Sequence, residues 1–583
     1  MPRKFKDIMP NCQEMKTDVL IIGSEGAGSR AAIEVARHGL QVCMLTKGKF
    51  GMSGATIVAG ADVDVDSRSA KHLLNLPGDR RDSPEAFFED ILTEGKYINN
   101  QKLVKVHVEQ APLRVKEMVD WGMRITGLIR APGHRYRRGV YTSGVEIMRV
   151  LKAQVTSLPV KIMEFMMVLD LLLKEDQVVG AVVLNLLSGE ILVISAKAIV
   201  LATGGGMTIY SVYTSPQDLT GDGQAMAWRA GADLVDMEMI QFLPCTFVSP
   251  PIWKGFGFPF ALGPMGGLDS WLLNKYGNRF MKDWDPERME RTTRDLLSIA
   301  IMNEILEGRG SSSNGVYLSF AHLPYNVIDF LKEWYAKPTL TMEWNYKGFN
   351  FRPLMEDIKK GYAIEVAPAC HFFMGGIRIN EKCEASVPGL FAAGEVAGGL
   401  HGANRLQGNA CTQILVQGAL AGQWASRFAT RRNKWPPLNN RYVEEVVRRA
   451  LAPLEKKNGV SPYEVKHYIQ KLAWENVGVI RNGANLKSSI QEIERIRKEK
   501  ILALSCFTKE GQYNPEWIQS IQLQNQITLL EIIAKSALLR EESRGAHFRR
   551  DYPNPSTKMG NVNIWARNRQ GNVQLLLKPV VRI

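Results

Sequence analysis

Thr17-Asp18-Val19-Leu20-Ile21-Ile22 is a short apolar run of the kind that forms a parallel strand buried on both faces. Gly23-Ser24-Glu25-Gly26-Ala27-Gly28 follows, then Ser29–His38, which reads as a helix ended by Gly39. Leu40–Leu45 predicts a second strand, completing a β-α-β unit with a glycine-rich first turn. Further along, Val443–Arg449 and Ile490–Lys500 carry helical charge patterns, which usually mark solvated faces. The tail from Val562 to Ile583 alternates weakly and predicts an edge hairpin. The richest apolar region, Leu158–Thr203, is interrupted by Lys161, Glu164, Asp170, Lys174, Glu175, Asp176, Glu190 and Lys197, so no stretch reads as a membrane span.

The first turn suits a pyrophosphate, because helix N-terminal amides and close backbone approach can cradle one. The fit to G-x-G-x-x-G is incomplete. Glu25 takes the place of the second glycine, and Thr46 stands where an acid would bind a ribose. Taken alone, the motif leaves open a βα turn without a ligand.

Composition narrows the class. A chain of 583 residues exceeds one hydrophobic core, so two or three domains are expected. With 45% hydrophobic and 23% charged residues, disorder is excluded as the main state. The net charge of +14 is spread along the chain, with local clusters at Arg135–Arg138 and Arg431–Lys434. No nucleic-acid motif accompanies it, so an anionic ligand or an acidic protein partner is the better reading. The seven cysteines are Cys12, Cys43, Cys245, Cys370, Cys383, Cys411 and Cys506, and no two form C-x-x-C. That pattern argues against a disulfide framework and against an iron–sulfur cluster or other metal site in this chain, and it fits a reducing cytoplasm. The basic start Met1–Lys6 lacks the apolar segment of a signal peptide.

Specific motifs come later. They are Ala198–Gly206, Leu219–Ala227, Arg229–Ala232, Asp236-Met237-Glu238 with Gln241-Phe242, Gly389–Glu395, His401-Gly402-Ala403-Asn404-Arg405-Leu406-Gln407-Gly408-Asn409, Asn476–Arg481, and Arg540–His547 with Arg549, Asp551, Tyr552 and Pro553. In this order, over residues 15 to 555, the chain resembles the flavoprotein of the succinate dehydrogenase, fumarate reductase and L-aspartate oxidase family. The resemblance implies an α/β fold: a Rossmann-like FAD-binding domain in two pieces (15–242 and 356–430), an inserted α+β capping domain (243–355), a C-terminal helical domain (431–555) and a tail (556–583). Gly255–Gly267, rich in Gly, Pro and Phe, reads as a mobile loop able to gate a cleft.

By the resemblance, Gly23, Glu25, Gly26, Ala27, Gly28, Thr46, Lys47, Ser53, Gly54, Thr203, Gly204, Gly205, Asp222, Glu395, Arg405, Asn409, Ala410 and Cys411 line the FAD. Arg294 falls at the family's proton-transferring arginine, His371 at its substrate-binding histidine, and Arg405 at the arginine that grips a carboxylate. Electrons are exchanged with an iron–sulfur partner, and any membrane attachment goes through partner subunits.

Three departures bear on chemistry. Leu243 replaces the histidine of Q-F-H-P-T-G, removing a hydrogen-bond donor from the dicarboxylate clamp. Gly263-Pro264-Met265-Gly266-Gly267 stands near the place of an acidic loop, and Met265 cannot relay a proton. No histidine lies between His38 and His72 to tether FAD, so noncovalent FAD is expected. An unpaired buried carboxylate is costly, so these changes point away from succinate and fumarate toward a larger or less charged substrate. The alternatives are an L-aspartate-oxidase-like enzyme, an adenylylsulfate-reductase-like enzyme, or a flavoprotein that relays electrons within a larger complex. Cys245 and Cys370 read as inert buried thiols.

Overall fold

The computed structural model describes residues 13–60, 62–257, 269–329, 352–435 and 437–583. The expected loop Gly255–Gly267 lies largely outside these residues, and Met265 wholly so. The first strand, Gln13–Ile22, sits at the centre of a seven-stranded sheet. It pairs in parallel with Val42–Leu45 on one side and with Ile191–Leu201 on the other. Val160–Met163 extends the sheet beyond Val42–Leu45. Leu390–Ala392 returns from far along the chain to pair in parallel with Ile199–Leu201, so two distant pieces build one sheet. The helix Gly26–Arg37 packs against the helix Asn409–Thr430, and glycines permit the approach: a Cβ on Gly418 would meet the Ala27 carbonyl oxygen at 2.6 Å.

A four-stranded antiparallel sheet carries the inserted region, in the order Ile240–Phe247, Ile364–Phe373, Val316–Ser319, Trp271–Leu273. It straddles the expected boundaries at 242 and 356, because its two longest strands lead out of and back into the region of the seven-stranded sheet. The insert has its own core of Phe247, Leu272, Phe280, Leu297, Val316 and Leu318. The helices Asn440–Glu455, Pro462–Asn476, Gly483–Arg495 and Pro515–Leu539 form the C-terminal region. The predicted tail hairpin forms between Val562–Arg569 and Asn572–Pro579. It is more than an edge ornament: its first strand pairs with Leu234–Val235, more than 300 residues earlier in the chain.

The basic cluster at 135–138 turns inward. Arg138 is fully buried, with Asp82 at 2.6 Å and Asp90 at 2.5 Å, and Arg135 also pairs with Asp90. Among the described residues no helix is long and apolar enough to cross a membrane, and no group of three or more His, Cys, Asp or Glu could hold a metal.

A second buried cation ties the C-terminal region to the site. Arg540 donates from Nε to Glu238 Oε1 (2.6 Å) and from Nη1 to Glu542 Oε1 (3.0 Å), and its Nη2 lies 3.4 Å from Asp236 Oδ1. All four residues are buried. Removing the guanidinium leaves the enclosed carboxyls of Glu238 and Asp236 without their cation, while Glu542 keeps Arg544 at 2.9 Å. Arg540→Met is therefore expected to cost about 3–5 kcal/mol, read as a lower midpoint in urea or thermal denaturation. A midpoint unchanged from wild type would contradict this role.

Candidate active site

The glycines of the first turn are required by contact. Gly23 has φ +105°, and a Cβ there would meet the Ala202 carbonyl oxygen at 2.2 Å. A Cβ on Gly28 would meet the Gly23 carbonyl oxygen at 1.9 Å. Ala27 and Gly26 are buried in the first helical turn, whose N-cap, Glu25, makes no side-chain capping bond. Neither Glu25 oxygen makes a well-formed hydrogen bond. Burial, then the nearby Asp218, push its pKa up to about 8, so Glu25 is mostly a neutral acid at pH 7. A neutral acid at this place does not repel a pyrophosphate. Gly54, at φ +80°, lies against the same side chain, where a Cβ would meet Glu25 Cγ at 2.3 Å.

Thr46 and Lys47 leave the second strand. The Thr46 amide donates to the Met163 carbonyl (3.1 Å), and its side chain is buried. Lys47 Nζ donates to the Asp218 carbonyl (2.6 Å), Thr220 Oγ1 (2.9 Å) and Asp222 Oδ2 (2.9 Å). Two residues expected at the cofactor, Lys47 and Asp222, are thus joined to each other. Ser53 Oγ donates to the Lys49 carbonyl (3.2 Å).

At the end of the strand Ile191–Leu201, Thr203 Oγ1 is buried with no partner among the described residues. Gly204 has φ +71°, and a Cβ on Gly205 would meet Glu395 Oε1 at 2.4 Å. Glu395 Oε1 accepts from the Phe373 amide (2.9 Å), and burial raises its pKa to about 7. Asn409, Ala410 and Cys411 open the long helix after Gly408, which has φ +85°. The N-cap of this helix also lacks a side-chain cap, and Asn409 Nδ2 is buried without a partner among the described residues. Burial pushes the Cys411 thiol up to about 12. Two uncapped helix N-termini, glycines in close contact and several unpartnered buried polar atoms suit a long ligand bearing a pyrophosphate.

Arg294, His371 and Arg405 come together from three elements. Arg294 is the first residue of the helix Arg294–Leu306. Its Nη2 donates to Gln407 Oε1 (2.6 Å), while Nη1 is enclosed without a partner among the described residues. Burial and the neighbouring Arg405 bring its pKa down to about 9, against Asp62 and Glu94. His371 lies on the strand Ile364–Phe373, with Nδ1 2.8 Å from Thr214 Oγ1. Burial, Arg405 and Arg294 push the imidazole well below its ordinary range, so it is neutral. The Arg405 guanidinium stacks 4.6 Å from the centre of the Phe372 ring, and its Nε is unpartnered among the described residues.

Sequence reasoning missed four neighbours. Asp62 and Asp64 sit on the short strand Asp62–Asp64, both buried. Burial raises the Asp62 pKa, opposed by Arg294, its own backbone, Arg405 and Gln407. Asp64 is raised well above the usual range by burial and by Asp62, and it presses on Gly408, where a Cβ would meet Oδ1 at 2.2 Å. The third, Gln407, stands inside the motif His401–Asn409 and accepts from Arg294. The fourth, Glu94, accepts from Asn404 Nδ2 at 2.5 Å. Gln241 fixes the same turn, donating from Nε2 to Asn404 Oδ1 (2.9 Å) and to the Arg405 carbonyl (3.0 Å). Leu243, two residues on along that strand, is half-buried and offers only carbon. Cys245 and Cys370 are buried, and burial raises both thiols, Cys245 to about 12.

Comparison with known proteins agrees with this geometry. Residues 18–411 match the FAD binding domain family, and residues 466–582 match the fumarate reductase flavoprotein C-terminal family. The chain is 35% identical over 549 residues to a fumarate reductase (CoM/CoB) chain of Methanothermobacter marburgensis, covering 92% of this chain and 94% of that protein. It is 37% identical over 565 residues to an uncharacterised FAD-dependent oxidoreductase of Methanocaldococcus jannaschii, covering 94% and 96%. Among solved structures, Mycobacterium smegmatis Sdh1 in complex with UQ1 superposes with a TM-score of 0.86 at 31% identity, covering 98% of this chain and 95% of that one. The chain therefore belongs to the fumarate reductase and succinate dehydrogenase flavoprotein family, and is an FAD-dependent oxidoreductase.

Proposed function

We propose that this protein is the flavoprotein component of a complex that reduces, or in reverse forms, a carbon–carbon double bond beside a single carboxylate. The observation that carries the substrate class is Leu243, which offers no donor for a second carboxylate beside Arg294 and Arg405. Asp62 and Asp64 face these cations, but burial raises both and neither replaces that donor. A dicarboxylate would leave one charge unpaired in a buried site, which is costly.

In this reading Gly23, Glu25, Gly26, Ala27, Gly28, Thr203, Gly204, Gly205, Glu395 and the helix start at Asn409 hold FAD. When bound, FAD supplies the two-electron redox chemistry. Arg405 and neutral His371 bind and orient the substrate carboxylate, and the guanidinium stabilises charge that builds on it. Arg294 holds a proton toward the carbon next to the one that exchanges hydride. Its lowered pKa makes this exchange easier than for an ordinary arginine. Phe372 against Arg405 keeps water from the carboxylate end. Electrons pass to or from an iron–sulfur partner, since the cysteines here are scattered singly. Any membrane association runs through such partners.

A second reading, fumarate itself as substrate, is favoured by the name of the Methanothermobacter relative. The two separate cleanly. The purified protein is reduced anaerobically and mixed with crotonate or fumarate, and flavin reoxidation is followed by stopped flow. Crotonate is expected to reoxidise the flavin at least about tenfold faster at equal concentration, the size of one lost buried polar contact. Faster reoxidation by fumarate would overturn the monocarboxylate reading. Denaturation in acid or organic solvent is expected to release all FAD into the supernatant, and yellow colour retained on the chain would contradict noncovalent binding.

A further inference from the structure

Gln407 stands between Arg405 and the helix start at Asn409, and both its backbone and its side chain are engaged at the site. Its carbonyl oxygen lies 2.9 Å from His134 Nε2. Burial brings the pKa of that imidazole down to about 4, so it is neutral at pH 7. Nε2 carries the hydrogen, because a carbonyl oxygen only accepts. The loop that holds His134 closes on the same turn: Gly133 has φ +87°, and a Cβ there would meet Leu406 Cδ1 at 2.6 Å. The side chain of Gln407 is thus projected from an anchored backbone.

Its carboxamide oxygen accepts from Arg294 Nη2 at 2.6 Å, and the amide end of the same group faces Asp62. Arg294 opens its helix, where the macrodipole is positive and gives a cation no support. The groups around it are Arg405, Asp62, Glu94 and the neutral His371, with Asp295 next in the chain. In that setting a neutral amide does two things. It fixes the guanidinium without adding a counter-charge. It also engages Nη2, the nitrogen shared by both of the two-point forks through which a guanidinium grips a carboxylate. A carboxylate arriving at Arg294 therefore meets a fork already half taken. Nη1 stays enclosed and without a partner among the described residues.

We propose that Gln407 is the positioning residue that makes Arg294 a single-point donor: by holding Nη2 it leaves Nη1 to face the substrate and keeps Arg294 from clamping a carboxylate. This rests on the reading of Arg294 as proton donor. Carboxylate recognition then falls to Arg405 and His371, and Arg294 is directed at carbon. The same division disfavours a second carboxylate, independently of Leu243. Gln407 acts through Arg294 and does not touch substrate.

The consequence is a split between affinity and rate that a merely structural residue does not give. Affinity is read by spectral titration of oxidised holoprotein with fumarate. Rate is read as reoxidation of the reduced protein in a single turnover with crotonate or fumarate, whichever the wild type reduces faster. Gln407→Ala releases the Arg294 fork. It is expected to bind fumarate roughly tenfold tighter while reoxidation slows by roughly 10–10²-fold. Gln407→Glu keeps an acceptor at Nη2 and adds a charge. Wild-type reoxidation should fall as pH rises through about 9, where Arg294 loses its proton. In Gln407→Glu that alkaline limb should move up by about one pH unit or more, and fumarate should bind more weakly. Affinity and rate that fall together in Gln407→Ala, or either one unchanged, would overturn the proposal, as would an alkaline limb in Gln407→Glu that stays at its wild-type pH. The second variant decides alone if Gln407→Ala does not retain FAD. If Arg294→Gln keeps the single-turnover rate, the reading of Arg294 fails and this proposal falls with it. Loss of rate in Arg294→Gln with no change in Gln407→Ala strikes this proposal alone.

Discussion

The site depends on one arrangement: two enclosed guanidinium groups, Arg294 and Arg405, both held below the ordinary arginine range by burial, and Arg294 further by Arg405. Cations placed so are tolerable only with compensating carboxyls, because an uncompensated buried charge costs several kcal/mol. Asp62 and Glu94 face Arg294, and Asp62, Asp64 and Glu395 face Arg405, but burial raises all four carboxyls and so weakens that compensation. Several of these polar atoms still lack a hydrogen-bond partner among the described residues, including Arg294 Nη1, Arg405 Nε and Asp64 Oδ1. A ligand that brings a carboxylate to the arginines completes the array, and this links packing to recognition.

Keeping that array in place requires segments that are far apart in sequence. The strand at 62–64, the helix end at 94, the helix start at 294 and the turn at 404–408 converge through Asn404 and Gln407. The C-terminal region backs this arrangement. Arg481 Nη1 donates to the Glu238 carbonyl (2.8 Å) and contacts His547 Nδ1 (2.8 Å), while Arg540 clamps the Glu238 side chain. Glu238 shortly precedes the strand that carries Gln241 and Leu243, so helical region, tail hairpin and site are one mechanical unit.

The frame of the fold was legible because buried parallel strands and glycine turns leave local signatures. Thr17–Ile22 and Gly23–Gly28 show this, as does the helix after them. The motif at His401–Asn409 placed Arg405, and the order of the motifs around it placed Arg294 and His371. Asp62, Asp64 and Glu94 were not legible in the same way. An aspartate on a three-residue strand looks like any surface acid until a partner hundreds of residues away buries it. Glu94 reads as an ordinary helix end until Asn404 is known to reach it. Gln407 stands inside the His401–Asn409 motif, but its bond to Arg294 needed the fold. The four-stranded sheet hid its true extent because its longest strands leave and re-enter the FAD domain.

The central claim is that the missing donor at Leu243, beside Arg294 and Arg405, sets which acid the protein accepts. Its most direct test is a spectral titration of oxidised holoprotein, wild type and Leu243→His, with fumarate and with crotonate. Restoring a donor for the second carboxylate is predicted to tighten fumarate by roughly tenfold or more, the worth of one charge-assisted hydrogen bond, and to leave crotonate unimproved. Tight fumarate binding in the wild type that Leu243→His weakens would contradict the account.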